Sequence, residues 1–165
     1  MTFYIILGIN AIDCPFLVPL YVGGKPSRYV PIEKEQMGIT ERGHAISRTA
    51  FDKYKEEHEA CRIPVENLSS KILLLVGEYD AGIPSDIVGT RIYERFKNHG
   101  KTDQCDLIIY PKAGHLIEPP HMPLCTHSYQ KEFGCFSEWG GEPKPHARAQ
   151  EDSWSRMIEF FKKNL

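Results

Sequence analysis

Two ionisable side chains fall where an open parallel α/β sheet collects its reactive groups, at the carboxyl ends of its strands. Asp80 ends Gly77-Glu78-Tyr79-Asp80, just past the apolar run 71–76, and His115 ends Pro111-Lys112-Ala113-Gly114-His115, just past the run 105–110. A carboxylate beside an imidazole fixes the ring's orientation and stabilises its protonated form, while the ring moves a nucleophile's proton. Carboxylate first and histidine later is also the order in which an α/β-hydrolase fold supplies the two supporting members of its triad. The plainer alternative is a loop-capping aspartate and a surface histidine.

The third member of such a triad is not found. A hydrolase nucleophile sits on a strand-to-helix elbow, G-x-S-x-G, and no such pentapeptide occurs here with serine or cysteine at its centre. Cys14, in Asp13-Cys14-Pro15, lacks flanking glycines and reads as a packed or loop thiol. His121, Cys125 and His127 raise the question of a metal, but their spacing fits no common zinc pattern. Gly23-Gly24 and Gly140-Gly141 lack the context of a phosphate-binding loop.

Stepping outward from Asp80 and His115, the elements that must hold them are clear. Lys71–Gly77 and Cys105–Tyr110 read as strands buried on both faces, and Phe3–Ile9 as a third. Ile87, Val88, Ile92 and Phe96 recur at helical spacing, giving a helix over 86–98 that ends at Gly100. Strand, helix, strand makes a βαβ unit, so 71–76 and 105–110 are expected to be parallel neighbours, with 3–9 beside them. Trp154, Met157, Ile158, Phe161 and Leu165 give a terminal helix, with Glu151 and Asp152 at its start and Lys162 and Lys163 at its end. The polar stretch 10–70 carries little pattern and reads as an insertion, or as a sign that neighbouring structure is missing. Within it Lys53–Glu59 mixes charge signs and reads as a solvated helix or loop. The class is α/β, mainly parallel sheet flanked by helices.

Composition narrows the functions further. The 165 residues are 41% hydrophobic and 25% charged, with 20 basic against 22 acidic side chains, an ordinary globular usage without the basic excess of a nucleic-acid binder. No apolar run approaches a membrane span, and Phe3–Ile9 lacks the flanks of a signal peptide. Five cysteines without a CxxC pair argue against a disulfide scaffold and for a reducing, intracellular compartment. The cytosol is the first expectation, with peroxisome or mitochondrion as alternatives.

Two longer strings carry a family resemblance. Residues 110–125, Tyr-Pro-Lys-Ala-Gly-His-Leu-Ile-Glu-Pro-Pro-His-Met-Pro-Leu-Cys, resemble the histidine loop of the acyl-CoA thioesterase and bile acid-CoA:amino acid N-acyltransferase family. Residues 139–154, Trp-Gly-Gly-Glu-Pro-Lys-Pro-His-Ala-Arg-Ala-Gln-Glu-Asp-Ser-Trp, are similar to the same family's approach to its last helix, and Ile63-Pro64-Val65-Glu66 is similar too. The resemblance runs from about residue 61 to the end, and 1–37 match more loosely.

The resemblance implies an α/β-hydrolase domain acting on acyl-CoA thioesters, with acyl-CoA as substrate and no separate cofactor. A Cys or Ser attacks the thioester, an Asp and a His support it, and the acyl group passes to water or to the amine of glycine or taurine. Asp80 and His115 stand at the two matching positions. Tyr79 stands where relatives often carry a second acid. The family's N-terminal β-sandwich and its nucleophile elbow have no counterpart in 1–165, so the chain is expected to be a partial C-terminal hydrolase domain with negligible turnover by itself. An exposed sheet edge would then favour association. The alternative from a different class is a non-catalytic α/β module that binds a ligand or partner in the strand-end cleft.

Overall fold

A computed structural model describes residues 5–16, 18–52 and 55–165. In chain order these form β1 (Ile5–Ile9), the two-residue strands β2 (Tyr21–Val22), β3 (Lys25–Pro26), β4 (Gly38–Ile39) and β5 (Ala45–Ile46), and helix α1 (Lys55–Cys61). They continue with β6 (Lys71–Gly77), α2 (Ser85–Asn98), β7 (Cys105–Tyr110), β8 (His127–Gln130), β9 (Cys135–Glu138) and α3 (Pro143–Asn164).

The site rests on a three-stranded parallel sheet, order β1-β6-β7. Ile5 pairs with Lys71 and Ile9 with Leu75; Ile72 pairs with Cys105 and Gly77 with Tyr110. All three strands are therefore parallel neighbours as expected, although residues 3 and 4 lie outside the described residues. Strand β6 is central, which explains its unbroken apolar sequence. Leu73 and Leu75 face Ala149 and Phe160 of α3, whereas Ile72 and Leu74 face Val88, Ile92 and Phe96 of α2. Each fully buried aliphatic side chain contributes about 1.5–3 kcal/mol. Helix α2 crosses between β6 and β7. Gly100, at φ 68°, closes it: Gly100 N–H reaches Lys97 O at 3.0 Å and Lys101 N–H reaches Phe96 O at 2.9 Å, the paired bonds of a Schellman cap.

The structure differs from these expectations in several places. Helix α3 begins at Pro143, not near Glu151. Pro143 occupies the helix's first turn, where no donor is needed, so Glu151 and Asp152 lie mid-helix, Asp152 accepting from the Tyr110 hydroxyl at 2.9 Å. The face α3 buries is also different: His146, Ala149, Gln150, Ser153 and Phe160 point inward, while Trp154, Ile158, Phe161 and Leu165 are exposed. Small side chains at 149 and 153 let the helix approach the sheet; of the expected stripe Met157 packs against this core, and Trp154, Ile158, Phe161 and Leu165 are left outside.

The stretch 10–70 is not featureless either. A four-stranded sheet, β4-β5-β9-β8, joins it to residues 127–138 with mixed parallel and antiparallel pairing. Its core gathers Val30, Ile32, Met37, Ala45, Ala50 and Phe51. "Mainly parallel" thus describes the sheet under the site and not this second one. Strands of two residues, paired with partners far along the chain, leave no periodic trace in sequence. Finally, His58 of α1 is buried, not solvated; Lys53 and Tyr54 lie outside the described residues.

Candidate active site

Strand β6 delivers Asp80 and strand β7 delivers His115 to one edge of the parallel sheet. Asp80 is 1% exposed. Its Oδ1 accepts the backbone N–H groups of Gly82 at 2.8 Å and Ile83 at 3.0 Å, and its Oδ2 lies 2.9 Å from His115 Nδ1. A buried carboxylate needs such donors to offset its lost hydration. Because two of them are backbone amides, the carboxylate cannot swing away from the ring. With Nδ1–H donated to Asp80, the neutral imidazole keeps its lone pair on Nε2, the tautomer a general base requires.

Three glycines make the loops fit. A Cβ on Gly77 would lie 2.4 Å from Gly114 O, one on Gly114 2.3 Å from Gly140 O, and one on Gly140 2.0 Å from Tyr79 O. The segments 77–82, 112–115 and 139–141 therefore interlock through bare backbone. His115 N–H donates to Trp139 O at 2.8 Å, and the Trp139 indole stacks on the His115 ring at 5.3 Å and 22°.

Sequence reasoning missed two further residues that hold this loop. Asn10, buried at the end of β1, accepts Gly77 N–H on Oδ1 at 2.7 Å. Its Nδ2 donates to Gly114 O at 3.3 Å and also to His115 O. His146 is 1% exposed; its Nδ1 accepts Gly114 N–H at 3.0 Å and its Nε2–H donates to Leu116 O at 2.8 Å. His146 thus fixes the backbone on both sides of His115. An Asn directly after an apolar strand is a weak signal for the first, and nothing in a single sequence marks the second.

A cavity of about 180 Å³ opens beside His115, walled by Phe16, Ile32, Ile83, Phe133 and Trp139, with Ser47, Gln130 and Ser137 as its polar groups. A wider groove of about 800 Å³ runs past Lys71, Cys105, Arg156 and Lys163, at the amino ends of β6 and β7, and includes neither Asp80 nor His115.

The other sequence candidates separate. Cys14 is buried, and that burial pushes its thiol up to about 12, which keeps it protonated and unfit to attack. Beside it Asp13 takes His58 Nε2 at 2.9 Å, Arg91 at 2.6 Å and Arg95 at 3.2 Å. Burial alone would raise this carboxyl, but the His58 and Arg91 hydrogen bonds outweigh it and hold Asp13 below the usual carboxylate range. Arginine already sits where a cation would, so this cluster is a structural clamp. Cys125 Sγ reaches the His127 carbonyl at 3.4 Å, but among the described residues the side chains that cluster with the His127 ring are His44 and Glu138, not His121 or Cys125. Among the described residues no helix is long and apolar enough to cross a membrane.

A parallel-sheet α/β domain carrying a buried carboxylate locked onto an imidazole beside an apolar cavity is the class that fold and site define. Residues 3–165 match the BAAT / acyl-CoA thioester hydrolase C-terminal family, and the chain belongs to it. It is 44% identical over 103 residues to acyl-coenzyme A thioesterase 1 of Mus musculus, covering 62% of this chain and 24% of the relative. It is 34% identical over 147 residues to the mitochondrial acyl-coenzyme A thioesterase 2 of Homo sapiens, covering 88% and 30%. Against human bile acid-CoA:amino acid N-acyltransferase it is 32% identical over 157 residues, covering 95% and 37%. The chain thus spans well under half the length of these relatives.

Proposed function

We propose that this chain supplies the acid and base of an acyl-CoA-processing active site of the α/β-hydrolase type. Asp80 is the orienting carboxylate and His115 the proton-transfer base. The single observation that carries the reading is the 2.9 Å contact between Asp80 Oδ2 and His115 Nδ1, set beside an apolar cavity in a member of this family. In the reaction, His115 Nε2 takes the proton of a Ser or Cys nucleophile as it attacks the thioester carbonyl. The imidazolium, stabilised by Asp80, then protonates the departing CoA thiolate. His115, neutral again, removes a proton from water or from an amino acid's amine as it attacks the acyl-enzyme, and returns that proton to the Ser or Cys as its bond to the acyl carbon breaks. The relatives' names support both outcomes, hydrolysis by the thioesterases and transfer to an amino acid by the N-acyltransferases. The cavity beside His115 is the place for the acyl chain nearest the thioester.

No G-x-[SC]-x-G elbow occurs in these 165 residues, so the nucleophile is assigned to sequence outside them, and the chain is read as a partial domain. Coenzyme A thioesters are soluble intracellular metabolites, which agrees with the mitochondrial relative and with an intracellular setting. The test is palmitoyl-CoA hydrolysis, followed with a thiol-detecting reagent. The 165-residue chain is expected to give no turnover above background. The reading frame extended upstream to include an elbow is expected to turn over, with His115→Ala losing roughly three or more orders of magnitude, as when one member of a triad acting as a unit is removed. Turnover by the short chain would place a nucleophile within it. An active extended protein indifferent to His115→Ala would remove His115 from the chemistry and favour a ligand-binding role for the cleft.

A further inference from the structure

His127 opens β8 and Glu138 closes β9, directly opposite each other in antiparallel register. His44 precedes β5, which pairs with the other side of β9 through Ala45 and Ser137. His44 Nδ1 lies 3.0 Å from Glu138 Oε2, the His44 and His127 ring centroids are 4.5 Å apart at 31°, and one ligating atom from each of the three residues lies within 4.8 Å of the others. An ordinary ion pair would need only His44 and Glu138. The second imidazole against the first goes beyond that ion pair, and both rings also pack with Phe136, at 5.6 and 5.9 Å between centroids.

We propose that His44, His127 and Glu138 bind a divalent transition-metal ion, zinc by ligand type, with a fourth position open to solvent. Two imidazoles and one carboxylate suit zinc and its neighbours, not calcium or magnesium. Tetrahedral zinc with N and O ligands at about 2.0–2.1 Å holds its donors roughly 3.3 Å apart. The His44–Glu138 pair already has nearly that spacing, and His127, exposed at the end of a strand, needs only a side-chain rotation to join it. Thr126 Oγ1 lies 3.1 Å from His127 Nδ1, a partner of the kind that orients a ligating imidazole through its other nitrogen. His44 is held by the turn to Thr40, whose Oγ1 accepts its backbone N–H at 3.0 Å.

The ion would tie β5, β8 and β9 together one residue before Trp139, the residue whose carbonyl and indole both hold His115. Metal binding is independent of whether His115 is catalytic. The test is calorimetric titration of the chelator-stripped chain with Zn²⁺, and the cobalt(II) absorption spectrum of the same site. Saturable binding of one equivalent is expected. His127→Ala and Glu138→Gln, each checked for unchanged circular dichroism, should weaken it at least about tenfold, because losing even an outer partner of a ligand costs that much. Cys125→Ser should leave it unchanged, and cobalt should show d–d bands without a thiolate charge-transfer band. Absence of saturable binding, undiminished binding in either ligand variant, or a thiolate band would overturn the assignment.

Discussion

Asn10→Ala removes the side chain that ties β1 to both the end of β6 and the histidine loop. Gly77 N–H loses its acceptor at 2.7 Å and Gly114 O loses a donor at 3.3 Å, whereas His115 O keeps the N–H of Ile117 at 3.2 Å. A buried polar group left unpaired costs about 1–3 kcal/mol, so the two orphans together are worth roughly 2–6 kcal/mol. Asn10 also sits at φ 45°, a conformation that an alanine adopts at an added cost of about 1 kcal/mol. A loss of about 4 kcal/mol, within the span these costs add up to, corresponds to roughly 8–16 °C in Tm for a chain of this size. The assay is urea unfolding followed by fluorescence, combined with hydrogen exchange at Gly77. Faster exchange localised at Gly77 is expected alongside the lost stability. Asn10→Asp keeps the acceptor for Gly77 but sets a carboxylate against two carbonyls, so it should protect that amide and still destabilise. A loss under about 0.5 kcal/mol, within the range of ordinary surface substitutions, with Gly77 exchange unchanged, would refute the bridging role.

Other expectations follow from the same coordinates. Gly100→Ala and Gly140→Ala share a left-handed backbone, φ 68° and 73°, but a Cβ meets nothing within 4 Å at Gly100 and the Tyr79 carbonyl at 2.0 Å at Gly140. Thermal melts should therefore show about 1 kcal/mol lost at Gly100, with Gly140→Ala far worse or unfolded; equal losses would contradict the interlocked loops. Asp13→Ala should cost about 1.5–3 kcal/mol, the range for hydrogen bonds to charged groups, because it removes the buried acceptor shared by the part-buried Arg91 and Arg95 and by His58. The folded Asp13 carboxyl is depressed, so its contribution is present above the ordinary carboxylate range and fades as pH falls through the folded value. Wild-type stability should accordingly fall on acidification over that interval, and the variant's should fall less steeply. Burial pushes the thiols of Cys14 and Cys105 up to about 12, so mass-resolved alkylation at neutral pH should spare both until denaturant is added.

How much of this was legible depended on local periodicity. Strand β6 and helix α2 stand out because one is buried on both faces and the other carries an apolar stripe closed by Gly100. The placement of Asp80 and His115 at neighbouring strand ends follows from the βαβ unit, and the structure brings the two side chains to 2.9 Å. Helix α3 was misplaced for a physical reason: Trp154, Ile158 and Phe161 make a better stripe on paper than His146, Ala149 and Ser153, which pack because they are small or satisfied. The sheet β4-β5-β9-β8 was invisible because its strands are short and its pairing is long-range. Asn10, His146 and the glycines at 77, 114 and 140 act through contacts with backbone, and side-chain type alone does not announce such contacts.

The proposed chemistry depends on Asp80 holding His115 in the tautomer that leaves Nε2 free to take a proton. Long-range ¹H–¹⁵N correlation NMR of the imidazoles, with the His115 signals assigned by their loss in His115→Gln, reads that state directly. At neutral pH the expected spectrum shows a protonated, hydrogen-bonded Nδ1 and an unprotonated Nε2, with the preference abolished in Asp80→Asn. A His115 protonated on Nε2, or a spectrum unchanged by Asp80→Asn, would contradict it.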